Sequence, residues 1–287
     1  MGGHLQGRGL KGIILSAGQG RRLLPLTQNL PKCLLRVGER TVLEWQLHML
    51  AAAGVDHAVV VTGFGAAAVD RELPAITPPG MHARTLFNEL HDRADNIVSC
   101  AVAAPEMAED FLLLNGDTLA DPVVIERLLA SPETPVAMAV ARKDAYDADD
   151  MRVRCEGTRV RRVGKDLGPA ETDGEAIGFS LYRGPGPRLF TEALAEVLRD
   201  PEAPHRWYLS AVNLLAGRGH VHLVGVGGAP WAEIDYPHDL PRAQGVAAHL
   251  AVRAALGAAA RWAGAEGRVP APGTPAFRQA APAGNGR

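Results

Sequence analysis

The sequence predicts an α/β fold, built on a doubly wound and mostly parallel sheet with a mixed second half. Three observations indicate this class. Short apolar strands end abruptly in glycine or polar turns, segments with helical spacing of apolar residues lie between them, and the alternation becomes less regular in the second half. At 287 residues the chain is long enough for one large domain or two small ones.

The first predicted unit is a strand, a loop, a helix and a second strand. Gly12–Ser16 is an apolar run that ends in a glycine loop, and Ala58–Thr62 is another apolar run. Between them, Thr41–Ala53 has apolar residues at helical spacing and stops at Gly54, as helices commonly do. Such a unit joins parallel strands. The polar loops therefore lie at the carboxyl ends of the strands, where these sheets bind ligands.

The alternation of strands and helices continues along the chain. Further strands are predicted at Ala83–Phe87, Phe111–Leu114, Pro135–Ala141, Ile177–Tyr182 and Val221–Val226, with a hairpin at Arg152–Val163. Further helices are predicted at Ile97–Ala104, Pro122–Ala130, Arg188–Leu198 and Leu209–Ala216, and one that starts near Pro237. We expect one domain over residues 10–245, an Ala-rich C-terminal helix over 246–267 and a disordered tail over 268–287, which is rich in Pro, Gly and Ala.

Composition and charge exclude several classes of function. The formal net charge of −2 gives no broad basic field for nucleic acid or for an anionic membrane. No apolar run is long enough to span a bilayer, and the polar N-terminus lacks the apolar core of a signal peptide. The three cysteines form no C-x-x-C pair, so neither a disulfide framework nor a zinc site is indicated. We expect a cytoplasmic protein without nucleic-acid or membrane partners, and homo-oligomerisation stays open.

A glycine loop follows the first strand, with the sequence Ser16-Ala17-Gly18-Gln19-Gly20. Its backbone N–H groups can approach a polyphosphate because glycine has no Cβ to block them. Arg22 and Lys32 would add fixed positive charge for a triphosphate. A plain tight turn with solvated basic residues is the alternative for the Gly-x-Gly core alone. A dinucleotide fingerprint and a Walker A loop are excluded, because the third glycine and the Gly-Lys-Ser/Thr ending are missing.

Two aspartates come shortly after apolar segments far apart in the sequence. Asp117 follows a predicted strand in Asn115-Gly116-Asp117, and Asp235 closes the turn Glu233-Ile234-Asp235. Carboxylates suit Mg²⁺, which takes its other ligands from water and phosphate oxygens. An aspartate that caps a turn is the alternative interpretation, and Glu233 is either a partner of the metal ligands or a residue at a strand edge. Two aspartates that follow strands on one sheet edge can share one metal ion.

The segment Gly12–Lys32 resembles the N-terminal motif of the GT-A-like nucleotidyltransferase superfamily that acts on sugar phosphates and choline phosphate. The family pattern is Leu, two small residues, Gly-x-Gly, a small hydroxyl residue, Arg, and a Pro-Lys pair downstream. The matching residues here are Gly18, Gly20, Arg22, Pro31 and Lys32. Two residues depart from the family pattern. Arg21 stands where the family usually has Ser or Thr, and Tyr236 stands where it usually has Thr. The resemblance covers roughly residues 10 to 245.

This resemblance implies a Rossmann-like fold and a Mg²⁺-dependent enzyme that joins a phosphate-bearing acceptor to an NTP and releases pyrophosphate. It implies catalytic roles for Arg22 and Lys32, nucleotide contacts from the glycine loop, and metal ligation by Asp117 and Asp235. The acceptor phosphate is already anionic at pH 7, so no general base is expected.

The middle of the chain resembles the branch of cytidylyltransferases that act on choline phosphate, inositol phosphate and phosphonates. The elements that carry this resemblance are Phe87-Asn88-Glu89, Asp95–Ser99, Val163–Asp166 and Gly174–Phe179. The resemblance implies nucleotide contacts from Asn96 and Ser99. Helix N-capping by Asp95 or Asn96 is an equally sound interpretation.

The predicted acceptor site contains Asn88, Lys165 and Glu175, which this resemblance implies, and Trp207, which is a candidate for an aromatic cage. A solvated surface lysine is the alternative for Lys165. A cationic acceptor such as choline phosphate would want an aromatic cage, to which Trp207 could contribute, whereas His205-Arg206 could bind an anionic one. We expect CTP as the nucleotide. Two alternatives stay open: a uridylyl-, thymidylyl- or guanylyltransferase for a sugar 1-phosphate, and a regulatory nucleotide-binding protein that has lost catalysis.

Overall fold

The computed structural model describes residues 9–266. Its strands are β1 (Lys11–Ser16), β2 (Arg36–Val37), β3 (Arg40–Thr41), β4 (His57–Thr62), β5 (His82–Phe87), β6 (Phe111–Asn115), β7 (Thr118–Ala120), β8 (Val136–Ala141), β9 (Arg152–Glu156), β10 (Arg159–Gly164), β11 (Gly174–Tyr182), β12 (Val221–Gly225) and β13 (Trp231–Glu233). Its helices are α1 (Val42–Ala52), α2 (Ala66–Ile76), α3 (Asn96–Ala103), α4 (Val123–Ala130), α5 (Gly186–Val197), α6 (Leu209–Gly217) and α7 (Leu240–Glu266).

Nine strands form one sheet in the order β5-β4-β1-β6-β11-β8-β12-β10-β9. The four strands from the first half, β5, β4, β1 and β6, run parallel to one another. Beyond β6 the sheet is mixed, since β11 is antiparallel to β6 and β8, while β12 is parallel to β8. The predicted fold class is therefore confirmed, including the mixed second half.

Helices cover both faces of this sheet. The core on one face contains side chains from α1, α2 and α4, and the core on the other contains side chains from α3, α5 and α6. On β1, Ile14 belongs to the first core and Ile13 to the second, because successive strand residues point to opposite faces. Both are fully buried, which explains why these strands are continuous apolar runs rather than alternating ones.

The register between β1 and β6 sets the edge at which the polar loops meet. Leu15 pairs with Asn115, so the turn after β1 lies beside the turn after β6. A Cβ on Gly116 would lie 2.4 Å from the Leu15 carbonyl oxygen, so only glycine allows this close approach. On the other side, β13 pairs with β7, and the Ile234 N–H donates to the Asp117 carbonyl at 3.1 Å. This pairing brings Asp235 next to Asp117.

Helix α2 was not predicted from the sequence. It starts after Gly65, which has a φ of 66° and provides no side-chain cap, and it contains Pro74. Only Val69 and Leu73 are buried along it, so its apolar pattern is weak. The short ribbon of β2 and β3 was also missed.

The C-terminal part of the chain differs from the prediction in one respect. The helix expected near Pro237 and the Ala-rich helix form the single helix α7, preceded by a 3₁₀ turn at Pro237–Asp239. Residues as far as His249 belong to one compact unit, and the chain from Leu250 on belongs to a second. The predicted tail over 268–287 lies outside the described residues, and the domain boundaries stay predictions. Among residues 9–266, no helix combines the length and apolar character that crossing a bilayer requires.

Candidate active site

The glycine loop is held in shape by its own hydrogen bonds. Gly20 has a φ of 74°, a conformation that favours glycine, and its Cα packs against the Lys32 side chain. The buried Thr27 hydroxyl donates to the Gly20 carbonyl at 2.7 Å, and Gln19 Nε2 donates to the Thr27 carbonyl at 3.4 Å. Gln19 therefore closes the loop on itself, and its side chain is directed to the returning chain.

A cleft of about 270 Å³ opens at this edge of the sheet. Six of the residues predicted to bind nucleotide line it: Ser16, Ala17, Gly18, Gly20, Asn96 and Ser99. Four others predicted for the site also line it: Lys32, Asn88, Asp117 and Trp207. The structure thus brings together residues from β1, from the turn after β6 and from the segment before α6, and their roles in binding stay predictions.

Lys32 bridges the two predicted metal ligands. Its Nζ lies 2.8 Å from Asp117 Oδ2 and 2.6 Å from Asp235 Oδ1, and the residue is only 9% exposed. Burial opposes the charge on this amine, but the two carboxylates outweigh burial and raise the pKa of Lys32. Lys32 is therefore a permanent cation at the base of the cleft.

Glu233 completes a cluster of three carboxylates with Asp117 and Asp235, which we call the carboxylate cluster. One oxygen from each lies within 4.8 Å of the others. Burial, followed by the charges of Asp117 and Asp235, raises the pKa of Glu233 well above its usual range. Glu233 is the last residue of β13, so it is a residue at a strand end and also a neighbour of the predicted metal ligands.

Arg22 lies above this cluster in a more exposed position. Its NH1 is 3.4 Å from Asp235 Oδ2 and 3.6 Å from Asp149 Oδ2. The guanidinium carbon also stands 5.1 Å from the centre of the Tyr236 ring. Lys165, predicted to face the acceptor, contacts the other Asp149 oxygen at 3.2 Å. Asp149 was not predicted, because it lies in an irregular segment without a motif.

The predicted Asn88 and Asp95–Ser99 elements contact each other and α6. Asn88 Nδ2 donates to Ser99 Oγ at 3.1 Å, and Asn96 Oδ1 accepts from the Tyr208 N–H at 2.8 Å. The interpretation that Asp95 or Asn96 caps α3 with its side chain is wrong. Asp95 occupies the cap position without a side-chain bond, and Asn96 instead holds the start of α6.

Glu175 lies outside the cleft, in a buried ion-pair network. Its Oε2 is 2.6 Å from Lys143 Nζ, which also lies 2.9 Å from Asp150 Oδ2. Burial raises the pKa of Glu175 to about 7, although Lys143 opposes the shift. The predicted contact of Glu175 with an acceptor stays a prediction. Lys143 and Asp150 were missed because neither belongs to a recognisable motif.

Two further residues lie at or next to the cleft, and only the first supports it. Gln46, on α1, donates through Nε2 to the carbonyls of Asn115 at 2.6 Å and Thr118 at 3.0 Å, and so supports the turn that carries Asp117. A polar residue inside the apolar pattern of a helix was the available indication. Cys33, next to Lys32, is a bystander, since burial raises its pKa to about 12 and keeps it a thiol.

The candidate site combines a parallel sheet edge, a glycine loop, a buried lysine and clustered carboxylates. This combination is typical of α/β domains that bind phosphates. Residues 12–269 match the family model described as the MobA-like NTP transferase domain, and the chain belongs to this family. The predicted membership in the nucleotidyltransferase superfamily is confirmed.

Similar proteins include two curated relatives and a solved structure. The CMP-5'-(3-aminopropyl)phosphonate synthase of Streptomyces rubellomurinus is 29% identical over 80% of this chain and 37% of its own length. The bifunctional IPC transferase and DIPP synthase of Rubrobacter xylanophilus is 32% identical over 81% of this chain and 50% of its own length. The chain thus spans between about a third and a half of these relatives. The inositol-1-phosphate CTP transferase from T. maritima shares the fold, with a TM-score of 0.71 at 19% identity over 86% of this chain and 98% of that one.

Proposed function

We propose that the protein transfers CMP from CTP to a small acceptor that carries a phosphate or phosphonate group, and releases pyrophosphate. The observation that carries this proposal is the bridge from Lys32 Nζ to Asp117 and Asp235 at the base of a cleft lined by the glycine loop. Relatives named for a CMP-phosphonate synthase and for a CTP transferase support the choice of CTP.

The carboxylate cluster fits a divalent cation. Asp117, Asp235 and Glu233 offer hard oxygen ligands within 4.8 Å of one another, the donor type that Mg²⁺ prefers. Bound there, Mg²⁺ would neutralise charge on the phosphate oxygens. Lys32 already lies between two of these ligands, so it is placed to contact both the carboxylates and a phosphate.

In the proposed reaction the protein contributes mainly the positions of the reacting groups and positive charge. An oxygen of the acceptor phosphate forms a bond to the α-phosphorus of the nucleotide, the bond from that phosphorus to the bridging oxygen breaks, and pyrophosphate leaves. The attacking oxygen is already anionic at neutral pH, so no side chain has to remove a proton. Lys32 and Arg22 are placed to balance the negative charge, and the glycine loop N–H groups would hold the phosphates.

The surroundings of Trp207 favour an anionic group over a cationic one at this end of the cleft. Lys165 Nζ stands 4.3 Å from the centre of the Trp207 ring. One face of this ring is therefore already covered by a cation of the protein and is closed to a quaternary ammonium group. Of the two acceptor types that the sequence left open, this arrangement supports the anionic one.

A pyrophosphate-release screen tests the proposal. CTP, UTP, dTTP, GTP and ATP are each combined with choline phosphate, inositol 1-phosphate, 3-aminopropylphosphonate and glucose 1-phosphate, with Mg²⁺ present. We expect release with CTP and at least one of the first three acceptors. Asp144→Asn, an exposed change outside the cleft, is the matched control for Asp117→Asn and should keep the wild-type rate. Release only with glucose 1-phosphate, or with no pair, would contradict the proposal.

A further inference from the structure

Three donors from distant parts of the chain converge on the carboxylate of Asp149. Its Oδ2 accepts a hydrogen bond from the Tyr236 hydroxyl at 2.8 Å and lies 3.6 Å from Arg22 NH1. Its Oδ1 accepts from Lys165 Nζ at 3.2 Å. Arg22 follows the glycine loop, Lys165 follows β10, and Tyr236 follows the carboxylate cluster. The exposed Asp149 thus contacts two cations and one hydroxyl donor, which come from three separate segments.

These three donors have the chemistry of an anion-binding site. Charge-assisted bonds from a guanidinium and an ammonium, with a hydroxyl as third donor, are what a phosphate or phosphonate group requires. Arg22 is also oriented by the Tyr236 ring, 5.1 Å from its guanidinium carbon. Arg22 and Lys165 belong to elements that carry the family resemblance, whereas Tyr236 departs from the motif and Asp149 lies in none, so the contacts of Asp149 are what is particular to this sequence.

We propose that Arg22, Lys165 and Tyr236 form an anion subsite and that Asp149 is its resident anion, which an incoming phosphate or phosphonate group must displace. Naming that group as the acceptor rests on the proposed function. Asp149 thereby limits how tightly the acceptor binds. It keeps the two cations paired until a ligand with more negative charge replaces it.

The side chain of Asp149 can leave without disturbing its segment. It is 45% exposed, and its two cationic partners are 47% and 25% exposed, so the ion pairs that hold it are weak. The neighbouring Asp150 anchors the segment independently, through Lys143 Nζ at 2.9 Å and the Asp147 N–H at 2.8 Å. Rotation of Asp149 therefore releases Lys165 from its ion pair and leaves Arg22 with Asp235, at 3.4 Å, while Asp150 holds the backbone in place.

Titration calorimetry of the full-length protein with methylphosphonate tests this inference. In the wild-type protein the two ion pairs and the hydroxyl bond of Asp149 must all be broken before the anion binds, so we expect Asp149→Asn to bind methylphosphonate about tenfold more tightly. Asp144→Asn removes the same charge from the same segment, away from the subsite, and should change the affinity less than about twofold, because distant exposed charges are screened. Asp149→Ala should act in the same direction as Asp149→Asn.

A double-mutant cycle with Lys165→Met shows whether the effect passes through the subsite. In the Lys165→Met background the gain from Asp149→Asn should fall to about threefold or less, because the two residues contact each other. Equal or weaker binding by Asp149→Asn, or the same gain with Lys165→Met, would overturn the inference. A wild-type protein that does not bind CTP would instead overturn the proposed function, and with it the assignment of the anion as an acceptor.

Discussion

The cleft side of the candidate site and the side around Asp149, which does not line the cleft, are built in different ways. The first side, formed by the glycine loop and the turn after β6, is fixed by the backbone, through parallel register, Gly20 in a left-handed conformation, and Gly116 against the Leu15 carbonyl. The second side is formed by side chains that reach across from irregular segments, such as Asp149 and Lys165. Carboxylates of the first side are partly buried, whereas Asp149 is exposed.

This difference suits the two sides to different roles. Groups fixed by backbone geometry are suited to the reacting phosphates, because they need no rearrangement when charge develops. Groups held by exposed ion pairs can exchange partners at low cost and are suited to binding a variable acceptor. Substitutions on the first side should therefore abolish turnover, and those on the second should change binding or stability.

The largest effect is expected at Asp117. Asp117→Asn keeps the size of the side chain but removes the charge proposed to hold a cation, so turnover should fall about a thousandfold or more. Asp235→Asn should act in the same direction with a smaller loss. Pyrophosphate release at saturating Mg²⁺ measures both, with melting temperature as the test of folding. Near-normal turnover by Asp117→Asn would remove this residue from the site.

Lys32 should affect stability as well as turnover. Lys32→Met leaves Asp117 and Asp235 facing each other without the cation that lies 2.8 and 2.6 Å from them. Removing one partner of such a buried network costs about 3–5 kcal/mol, and Mg²⁺ should restore part of that loss. The free energy of unfolding is measured by denaturant with and without Mg²⁺.

The matched control for Lys32→Met is Lys11→Met. Lys11 forms a more exposed ion pair with Glu106 at 2.6 Å. Its loss should cost about 1 kcal/mol or less and should not respond to Mg²⁺. A Lys32→Met protein that is as stable as Lys11→Met, with and without Mg²⁺, would contradict the bridge.

A smaller effect, which depends on pH, is expected from Glu175 in the buried network outside the cleft. Burial raises the pKa of Glu175 from 4.5 to about 7, so between these values the unfolded chain loses a proton that the folded protein keeps. Glu175 therefore lowers stability progressively as the pH rises from about 4.5 to about 7, and the loss is constant above that. Lys143 and Asp150 face Glu175, and Glu233 is also near.

The comparison of Glu175→Gln with the wild-type protein isolates this effect. Lys143 keeps Asp150 as a partner in the variant, so no buried cation is left alone. The variant should gain stability over the wild-type protein by about 1–3 kcal/mol between pH 4.5 and 7.5. The free energy of unfolding across that range measures it, and a difference that is independent of pH would show that Glu175 stays ionised in the folded protein.

Residues that lie within local sequence patterns were predicted, whereas residues held by contacts between distant segments were not. The strands of the nine-stranded sheet, the glycine loop, Lys32, Asp117 and Asp235 were predicted because each lies within a local pattern. Parallel strands bring the glycine loop and Asp117 to one edge, whereas Asp235 follows β13, which is antiparallel to β7 in a separate two-stranded sheet. The structure places these residues in and around one cleft, and their roles there stay predictions. Asn96 lines the cleft too, although its side chain oxygen is used to hold α6.

The features that the sequence did not indicate all depend on long-range contacts or weak local patterns. Asp149 contacts Tyr236 across 87 positions of sequence, and Lys143 contacts Glu175 between a loop and a buried strand. No local spacing encodes such pairs. Helix α2 was missed because a glycine start, an internal proline and two buried residues give little periodicity.

The ratio of kcat/KM for CTP to kcat/KM for UTP, measured with one acceptor, tests most directly whether this protein transfers a cytidylyl group. Cytosine and uracil differ by an exchange of donor and acceptor at one ring edge, and we expect polar groups near Ser16, Ala17 and Asn96, which line the cleft, to distinguish the two bases. A mispaired buried polar group costs about 1–3 kcal/mol, so CTP should be preferred by roughly tenfold to a hundredfold. Equal values, or a preference for UTP, dTTP or GTP, would contradict this account and assign the protein to the transferases that act on sugar 1-phosphates.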